Sequence, residues 1–326
     1  MLILRRPGKD PYFNIAAEEY LMKSVESDCF MLWQNDPSVI IGKHQNTLAE
    51  VNIPFVSDRN IPVIRRISGG GTVYHDEGNI NFTFISTGLR EKLVDYQKFL
   101  QPIVEALNQL GIRAKFHGKN DIRINEFKIS GNSEHVYKNK VLHHGTLLFS
   151  SDLEMLNRVM NESPGKYSDK SVKSVRSKVA RITDFLTVSI SLDEFLQHIG
   201  QFISLKAANP EIRDLSPLEI SEISRLAGEK YRTWNWNFGY SPPYIFRNQI
   251  QENQQVYCAE LHVKSGIIEK TQIKINGKAS EINNFFEYLL TGKRHDYHTI
   301  RDILHANGLH FNSNKFNFNI LLQLLF

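Results

Sequence analysis

Three consecutive glycines between two predicted strands are the feature that most limits the folds open to this chain. The glycines at 69–71 follow an apolar, extended stretch at 62–66, and residues 72–74 are predicted as a second strand. The P-loop and the dinucleotide-binding loop both open a helix, and the P-loop also needs a Gly-Lys-Ser/Thr that is absent here. The pattern therefore excludes both folds at this position and indicates a strand–loop–strand.

The same loop suits an anion. Glycine accepts positive φ and lets a ligand approach the backbone without meeting a Cβ, and successive N–H groups can form an anion-binding nest. Arg65 and Arg66 stand just upstream, and a guanidinium binds carboxylate or phosphate with two parallel hydrogen bonds. A glycine-rich β-turn without a ligand is the alternative, and His75 and Asp76 just downstream make it less favoured.

A lysine in a predicted strand is the second candidate. Lys128 lies between two apolar residues just before a turn at Gly131, and Asp121 belongs to the preceding strand of a predicted hairpin. Activating a carboxylic acid with ATP brings two anions together, and a fixed ammonium stabilises the charge that develops where they meet. A solvated lysine at a strand edge is an equally weighted alternative.

Two further segments allow several interpretations. His143 and His144 are neighbours in a predicted strand, so they point to opposite faces, and no ligand spacing around them fits structural zinc. Residues 166–181 carry six basic side chains against one acidic side chain and no apolar stripe. They are predicted as a mobile loop, with a solvated loop favoured over a nucleic-acid patch or a lid that closes on an intermediate.

Composition excludes several classes of protein. The 326 residues are 41% hydrophobic and 23% charged with a net charge of +4, which is ordinary for a globular protein and does not demand nucleic acid. No apolar run approaches the roughly 20 residues of a membrane helix, and residues 1–7 do not form a signal peptide. Cys29 and Cys258 lie in apolar surroundings, which favours reduced, buried thiols. We expect a cytoplasmic protein with no membrane partner.

Helical periodicity recurs along the chain. Residues 96–110 carry an apolar stripe and stop at Gly111, and Asn14 is predicted to cap the first helix. Other helices are predicted at 152–160, at 191–205 and from Ser216 onward.

A composition change marks a domain boundary. Residues 231–246 are aromatic and contain two adjacent prolines, so we predict one domain over 1–243 and a second over 244–326. A hairpin over 256–275 and two or three short helices are expected in the second domain.

Several motifs occur in the order of a known family. They are the Arg65-to-Asn79 run (Arg-Arg-x-Ser-Gly-Gly-Gly-Thr-Val-Tyr-His-Asp-x-Gly-Asn), Gly-Lys-Asn-Asp-Ile, Lys-Ile-Ser-Gly, His-His-Gly-Thr-Leu-Leu and Ser-Val-Arg-Ser-Lys-Val. Together they resemble the lipoate–protein ligase family, of the bacterial two-domain A type. The resemblance covers about 14–179 and returns at 234–239. It implies an α/β (α+β) fold: a biotin/lipoate ligase-like catalytic domain with a mixed, largely antiparallel sheet flanked by helices, plus a small α/β accessory domain.

The resemblance implies an ATP-dependent ligase. It would convert lipoate into lipoyl-AMP with release of pyrophosphate, and pass the lipoyl group to a lysine of apo lipoyl domains. The implied acceptors are 2-oxoacid dehydrogenase E2 subunits and the glycine cleavage H protein. ATP and Mg²⁺ are the implied cofactors and free lipoate the substrate, with Mg²⁺ held mainly by phosphates and no metal-binding residue assigned.

The same resemblance assigns site residues, with Lys128 as the catalytic residue. The implied ATP and adenylate contacts are Arg66, Gly71, Thr72, Val73, Tyr74, Asp121, Lys128, Arg176 and Lys178. The implied lipoate contacts are Arg65, Ser68, Gly69, Gly70, His75, Lys128, Gly131 and His144.

Two other functions remain open at this point. The chain could be an ATP-independent lipoyl or octanoyl transferase of the same fold, although it lacks the expected catalytic cysteine motif. It could instead be a non-catalytic protein that binds lipoyl domains, or RNA through its basic loop; nucleic acid is not the expected partner.

Overall fold

The structure, a computed structural model, describes residues 1–5, 8–88, 93–252, 254–279, 281–307 and 318–326. The chain divides into two compact units, each made of three segments. The first unit contains Met1–Lys43, Pro62–Asn157 and Ser174–Thr233, and the second contains His44–Ile61, Arg158–Lys173 and Trp234–Phe326. The catalytic and accessory domains at 1–243 and 244–326 stay a prediction.

The strands follow one another along the described chain. They are β1 Leu2–Leu4, β2 Cys29–Trp33, β3 Ser38–Ile41, β4 Val63–Arg65, β5 Val73–His75, β6 Asn79–Thr87, β7 Lys115–His117, β8 Asp121–Ile124, β9 Phe127–Tyr137, β10 Lys140–Leu148, β11 Tyr167–Asp169, β12 Glu211–Arg213, β13 Tyr244–Glu252, β14 Gln255–Lys264, β15 Ile267–Ile275 and β16 Lys278–Ala279.

The helices alternate with these strands. They are α1 Pro11–Ser24, α2 Thr47–Glu50, α3 Ile53–Asp58, α4 Tyr96–Gln109, α5 Leu153–Val159, α6 Leu192–Lys206, α7 Pro217–Leu226, α8 Glu281–Leu290, α9 Tyr297–Ala306 and α10 Phe318–Leu324. Short 3-10 turns occur at Pro164–Lys166 and Ile182–Phe185, and π-helical turns at Ala227–Tyr231 and Asn235–Gly239.

Capping explains where most helices begin. Ser216 caps α7 through the Glu219 N–H, as predicted, and α4 ends before Gly111, whose φ is +79°. The predicted cap of α1 is wrong: Asp10 caps the helix by accepting from the Tyr12 N–H. Asn14 lies inside α1 instead, where its buried amide donates to backbone carbonyls. The sequence offers both residues as good caps, and Pro11 at the first helical position decides between them.

An eight-stranded sheet forms the centre of the first unit, in the order β12-β1-β2-β6-β10-β9-β8-β7. The β12–β1–β2 pairs are parallel and the others are antiparallel, so the mixed, largely antiparallel sheet is confirmed. One face packs against α4 and α6, whose buried stripes include Phe99, Leu107 and Phe195.

A three-stranded sheet in the same unit carries the glycine loop. β3 is its central strand, with β4 parallel on one side and β5 antiparallel on the other. Residues 66–72 connect β4 to β5 across the end of β3. This is the strand–loop–strand expected from the sequence.

A five-stranded sheet, in the order β11-β13-β14-β15-β16, forms the second unit together with α8, α9 and α10. The β14–β15 hairpin matches the predicted one, with Ser265 and Gly266 both at positive φ in its turn. Buried His295 contacts the Tyr244 hydroxyl at 2.8 Å and the Leu325 carbonyl at 2.8 Å, and burial lowers its pKa to about 4. Among the described residues, every helix is too short or too polar to cross a bilayer.

Candidate active site

Arg66 holds the glycine loop in shape. Its Nη2 donates to the carbonyls of Gly69 at 2.6 Å and Gly71 at 2.8 Å, and its Nε donates to the Ser68 hydroxyl at 3.0 Å. The side chain is buried, and burial lowers the pKa of the guanidinium to about 10. Arg66 thus supplies the donors that the loop carbonyls would otherwise take from water.

The loop amides have no such partners. Within the described part of the chain, no hydrogen-bond acceptor faces the N–H of Gly69, Gly70 or Gly71. Gly70 has a φ of +86°, and a Cβ there would lie 3.0 Å from Arg66 Nη2. With the carbonyls of Gly69 and Gly71 held by Arg66, these amides are left available to a ligand, and their binding of an anion stays a prediction.

The end of the loop is fixed by a second contact. Thr72 N–H donates to the Ser174 hydroxyl at 2.9 Å, and a Cβ on Gly71 would lie 3.1 Å from the same oxygen. Val73 and Tyr74 then pair with β3. Burial raises the pKa of the Tyr74 hydroxyl to about 12, so the side chain stays neutral.

Lys128 is oriented by an ion pair. Its Nζ lies 2.8 Å from Asp121 Oδ1, and Arg123 Nη2 lies 2.9 Å from the other oxygen of that carboxylate. A Cβ on Gly131 would lie 2.9 Å from Lys128 Cε and 3.0 Å from Nζ. The ammonium therefore lies over the open backbone of Gly131, with a quarter of the side chain exposed.

The ammonium and the glycine loop border one stretch of β9. Ser133 Oγ donates to the Gly69 carbonyl at 2.9 Å, and Lys128 covers Gly131, two residues earlier on the same strand. Residues two apart on a strand share a face and are about 7 Å apart. The structure therefore brings the two strongest candidates from the sequence together on one face of β9.

Part of the basic segment at 166–181 is extended and hydrogen-bonded to β9. Lys128 N–H donates to the Lys178 carbonyl at 2.8 Å, and Ala180 N–H donates to the Lys128 carbonyl at 3.2 Å. The side chains of Arg176 and Lys178 are exposed. Backbone pairing with β9 needs no apolar side chain and leaves no periodic signal in the sequence. Residues 171–178 belong to no helix or strand, and their mobility stays a prediction.

His144 and Ser68 are in contact. His144 Nε2 lies 2.6 Å from Ser68 Oγ, and Nδ1 lies 2.8 Å and 3.0 Å from the two carboxylate oxygens of Glu18 on α1. The predicted opposite orientation of neighbouring histidines is confirmed: His143 faces α4 and contacts Glu134 at 2.9 Å.

Two other predicted residues are deeply buried. Asn35 Nδ2 lies 3.0 Å from Nδ1 of His75, and burial lowers the pKa of this histidine to about 3, so its ring is neutral. Arg65 is fully buried, and its Nη1 donates to the carbonyls of Gly42 and Lys43 at 3.0 Å each. Both arginines of the predicted pair therefore hold backbone carbonyls.

Among the described residues, the side chains around Lys128 do not form a cage for a metal. Across the described segments, no three His, Cys, Asp or Glu side chains converge as a metal site. Asp121 is the carboxylate beside Lys128, and its two oxygens already form ion pairs with the Lys128 ammonium and the Arg123 guanidinium. These residues do not fit a protein-held Mg²⁺, whose preferred ligands are several free oxygens.

Sequence reasoning missed four residues that shape this site. Glu18 and Thr83 lie behind His144, Ser133 holds the Gly69 carbonyl, and Ser174 holds Thr72. Ser174 belongs to the Ser-Val-Arg-Ser-Lys-Val motif, whereas nothing local distinguishes Glu18 from Glu19, the other acid of α1.

The sequence of this chain is similar to those of known proteins. Residues 10–204 match the family described as the lipoyl protein ligase A/B catalytic domain. The chain belongs to this family. It is 38% identical over 307 residues to lipoate–protein ligase 1 of Staphylococcus aureus, covering 92% of each chain. It is also 36% identical over 308 residues to the lipoate–protein ligase LplJ of Bacillus subtilis, covering 92% of each chain.

Solved structures of the lipoyl protein ligase family share the fold. A bi-partite lipoate protein ligase of Thermoplasma acidophilum, studied with its E2 lipoyl domain, aligns with a TM-score of 0.62 at 27% identity, over 73% of this chain and 96% of that one. A lipoate–protein ligase A solved with ATP aligns with a TM-score of 0.60 at 26% identity, over 73% and 98%. The expected family, fold class and enzyme class, an ATP-using lipoate–protein ligase, are confirmed.

Proposed function

We propose that this chain binds lipoate and ATP along the glycine loop, joins them as lipoyl-AMP, and transfers the lipoyl group to a lysine of an apo lipoyl domain. One observation carries the proposal. The glycine loop, whose three amides have no partner among the described residues, and the Lys128 ammonium border Ser133 and Gly131, two neighbouring positions on one face of β9. Such a set of donors suits two anions that must approach one another.

Related proteins support the same substrates. The Thermoplasma acidophilum relative has been solved with bound lipoic acid, and another relative with bound ATP. A bi-partite lipoate protein ligase of Thermoplasma acidophilum was studied with its E2 lipoyl domain. We extend these ligands to this chain, and add the glycine cleavage H protein as an acceptor of the same chemistry.

The first half-reaction joins the two substrates. A lipoate carboxylate oxygen attacks the α-phosphorus of ATP, and the bond to the bridging oxygen of pyrophosphate breaks. The Lys128 ammonium neutralises charge on both reacting groups, while Asp121 keeps it over Gly131. The amides of the glycine loop donate to the anions without having to reorganise.

The second half-reaction transfers the acyl group. The neutral amine of an acceptor lysine attacks the acyl carbon of lipoyl-AMP, the acyl–oxygen bond breaks, and AMP leaves as the amide forms and the amine loses a proton. In this scheme Gly71, Thr72, Val73, Tyr74, Arg176 and Lys178 border the nucleotide, and Arg66 contributes through the loop carbonyls that it holds. Ser68, Gly69, Gly70, Gly131 and His144 border lipoate, with Arg65 and His75 supporting the loop from behind.

Magnesium enters this proposal only with the nucleotide. Because both oxygens of Asp121 already bind cations, we expect the metal to be held mainly by phosphate oxygens, and the residue roles above do not depend on it. ATP and lipoyl domains are intracellular, which fits an enzyme that works in the cytoplasm.

Incubation of the purified chain with ATP, Mg²⁺, lipoate and an apo lipoyl domain tests the proposal. We expect the acceptor to gain the mass of one lipoyl group, with one AMP and one pyrophosphate released per group transferred. Lipoylation from an acyl carrier without ATP would favour the transferase alternative instead. Absence of any ATP-dependent mass gain on E2 and H-protein acceptors would contradict the proposal.

A further inference from the structure

A chain of buried hydrogen bonds runs behind the glycine loop. On the face of the large sheet that contacts α1, Thr83 of β6, His144 of β10 and Ser133 of β9 are direct cross-strand neighbours. Glu18 of α1, only 1% exposed, lies against this row. Its Oε1 lies 2.6 Å from the Thr83 hydroxyl and 2.8 Å from His144 Nδ1.

The donors and acceptors allow only one direction of hydrogen bonding at the Glu18 end. An indole nitrogen can only donate, and a carboxylate can only accept. Trp33 Nε1 therefore donates to Thr83 Oγ1 at 2.8 Å, and Thr83 donates onward to Glu18. His144 Nδ1 must carry a proton to contact the same carboxylate.

At the Ser68 end, the direction depends on whether the His144 ring is neutral. The Arg66 Nε is only a donor, so it occupies one lone pair of the Ser68 oxygen. When the ring is neutral with its proton on Nδ1, Nε2 of His144 is an acceptor. It then accepts a hydrogen bond from the Ser68 hydroxyl at 2.6 Å. With this neutral ring, the hydrogen bonds from Arg66 through Ser68 and His144 all point towards the Glu18 carboxylate.

We propose that Glu18 is a positioning residue for lipoate binding: it holds the Nδ1 proton of His144, so that Nε2 takes the Ser68 proton and the Ser68 oxygen stays open to Arg66. Arg66 is then oriented with Nη2 on the carbonyls of Gly69 and Gly71, which leaves the loop amides facing the ligand. This inference rests on the proposed function, because it names a residue that prepares the same loop.

A second acid–histidine pair in the same sheet provides a matched control. On the opposite face, Glu134 Oε1 lies 2.9 Å from His143 Nδ1, and both side chains are buried. Within the described residues, His143 Nε2 has no hydrogen-bond partner, so this pair leads to no loop. Replacing either glutamate by glutamine removes one buried charge of a Glu–His pair, but only Glu18 is connected to Ser68.

The first test observes the ring directly. Two-bond ¹⁵N–¹H spectra of the histidine-labelled protein distinguish the two neutral tautomers, with the His144 signals assigned by their loss in His144→Gln. We expect the Nδ1–H tautomer in the wild type and a gain of the Nε2–H tautomer in Glu18→Gln, because an amide can also donate to Nδ1. A wild-type ring in the Nε2–H or the doubly protonated form would overturn the proposal, even if no variant folds.

The second test separates binding of lipoate from the other steps. We expect Glu18→Gln to raise KM for lipoate about tenfold, the lower end of the effect of a charged hydrogen bond. The KM for ATP should rise less than the KM for lipoate, because Thr72 and the start of β5 are held separately by Ser174 and β3. Glu134→Gln should leave KM for lipoate unchanged.

The outcomes of the two tests separate this inference from the proposed function. A wild-type chain that ligates lipoate, combined with an unchanged KM for lipoate in Glu18→Gln, refutes the positioning role alone. Equal increases in both glutamine variants would also refute it, since they would reflect a general loss of packing. A wild-type chain that makes no lipoyl-AMP contradicts the proposed function, whereas the tautomer spectra still report on the hydrogen-bond chain.

Discussion

Adding one methyl group at Gly131 should displace the Lys128 ammonium without removing it. The new Cβ would lie 2.9 Å from Cε and 3.0 Å from Nζ, whereas ordinary contacts begin at 3.4 Å. The end of the side chain therefore has to move by about 0.5 Å, which changes the contact of Nζ with Asp121. Because a flexible, quarter-exposed side chain can move, we expect the free energy of unfolding to fall by less than about 1 kcal/mol.

The effect on the first half-reaction should be larger. A displacement of about 1 Å can cost about 100-fold in rate, so we expect about a tenfold loss for Gly131→Ala. Lys128→Ala removes the donor itself and should cost about 2.7–4 kcal/mol of barrier, or about 100- to 1,000-fold. If the methyl group acts only through the ammonium, Gly131→Ala should have no further effect in a Lys128→Ala background.

The assay is a double-mutant cycle on lipoyl-AMP formation. Single-turnover formation of lipoyl-AMP without an acceptor reports the first half-reaction, and urea unfolding reports stability. Gly228→Ala is the matched control, because a Cβ there meets nothing within 4 Å and its φ is not positive. Equal losses from Gly131→Ala with and without Lys128, or full activity in Lys128→Ala, would refute the role given to the ammonium.

Three further changes test other parts of the structure. Ser174→Ala removes the hydroxyl that holds the Thr72 N–H, so KM for ATP should rise about fivefold, from a hydrogen bond of about 1 kcal/mol, as steady-state kinetics can check. Gly266→Ala should destabilise the protein by about 3 kcal/mol in urea unfolding, because φ is +72° and its Cβ would lie 2.3 Å from the Trp234 ring. His75 stays neutral when folded, with a pKa of about 3, so the unfolded chain binds an extra proton below about pH 6.5. Stability should therefore fall from pH 7 to pH 4, and less steeply in His75→Asn; identical slopes would contradict this.

Local signals predicted most of the elements. The stripe at 96–110 corresponds to α4, and Gly111 ends it at positive φ because no Cβ hinders that conformation. The glycine loop was predicted between two strands because its flanks are extended and no helix signal follows. In each case the determining residues lie within a few positions of one another.

Long-range contacts explain what the sequence could not predict. Glu18 acts on His144 across 126 positions, and its helix carries no mark of that contact. The hydrogen bonds from Arg66 to the carbonyls of Gly69 and Gly71 were not predicted either, because only the folded loop brings those carbonyls to the guanidinium. Pairing of β9 with Val179 likewise depends on backbone atoms, which no side-chain pattern reveals.

The second unit draws on three separate stretches of the chain, and this has a genetic consequence. β11 is hydrogen-bonded to β13, and α3 packs against α9, although β11 and α3 are encoded well upstream of their partners. A premature stop codon before β13 would therefore leave β11 translated without its hydrogen-bonding partner, and unpaired strand edges promote aggregation. A shortened version of this protein would need internal deletions of 44–61 and 158–173 as well as loss of its carboxyl end.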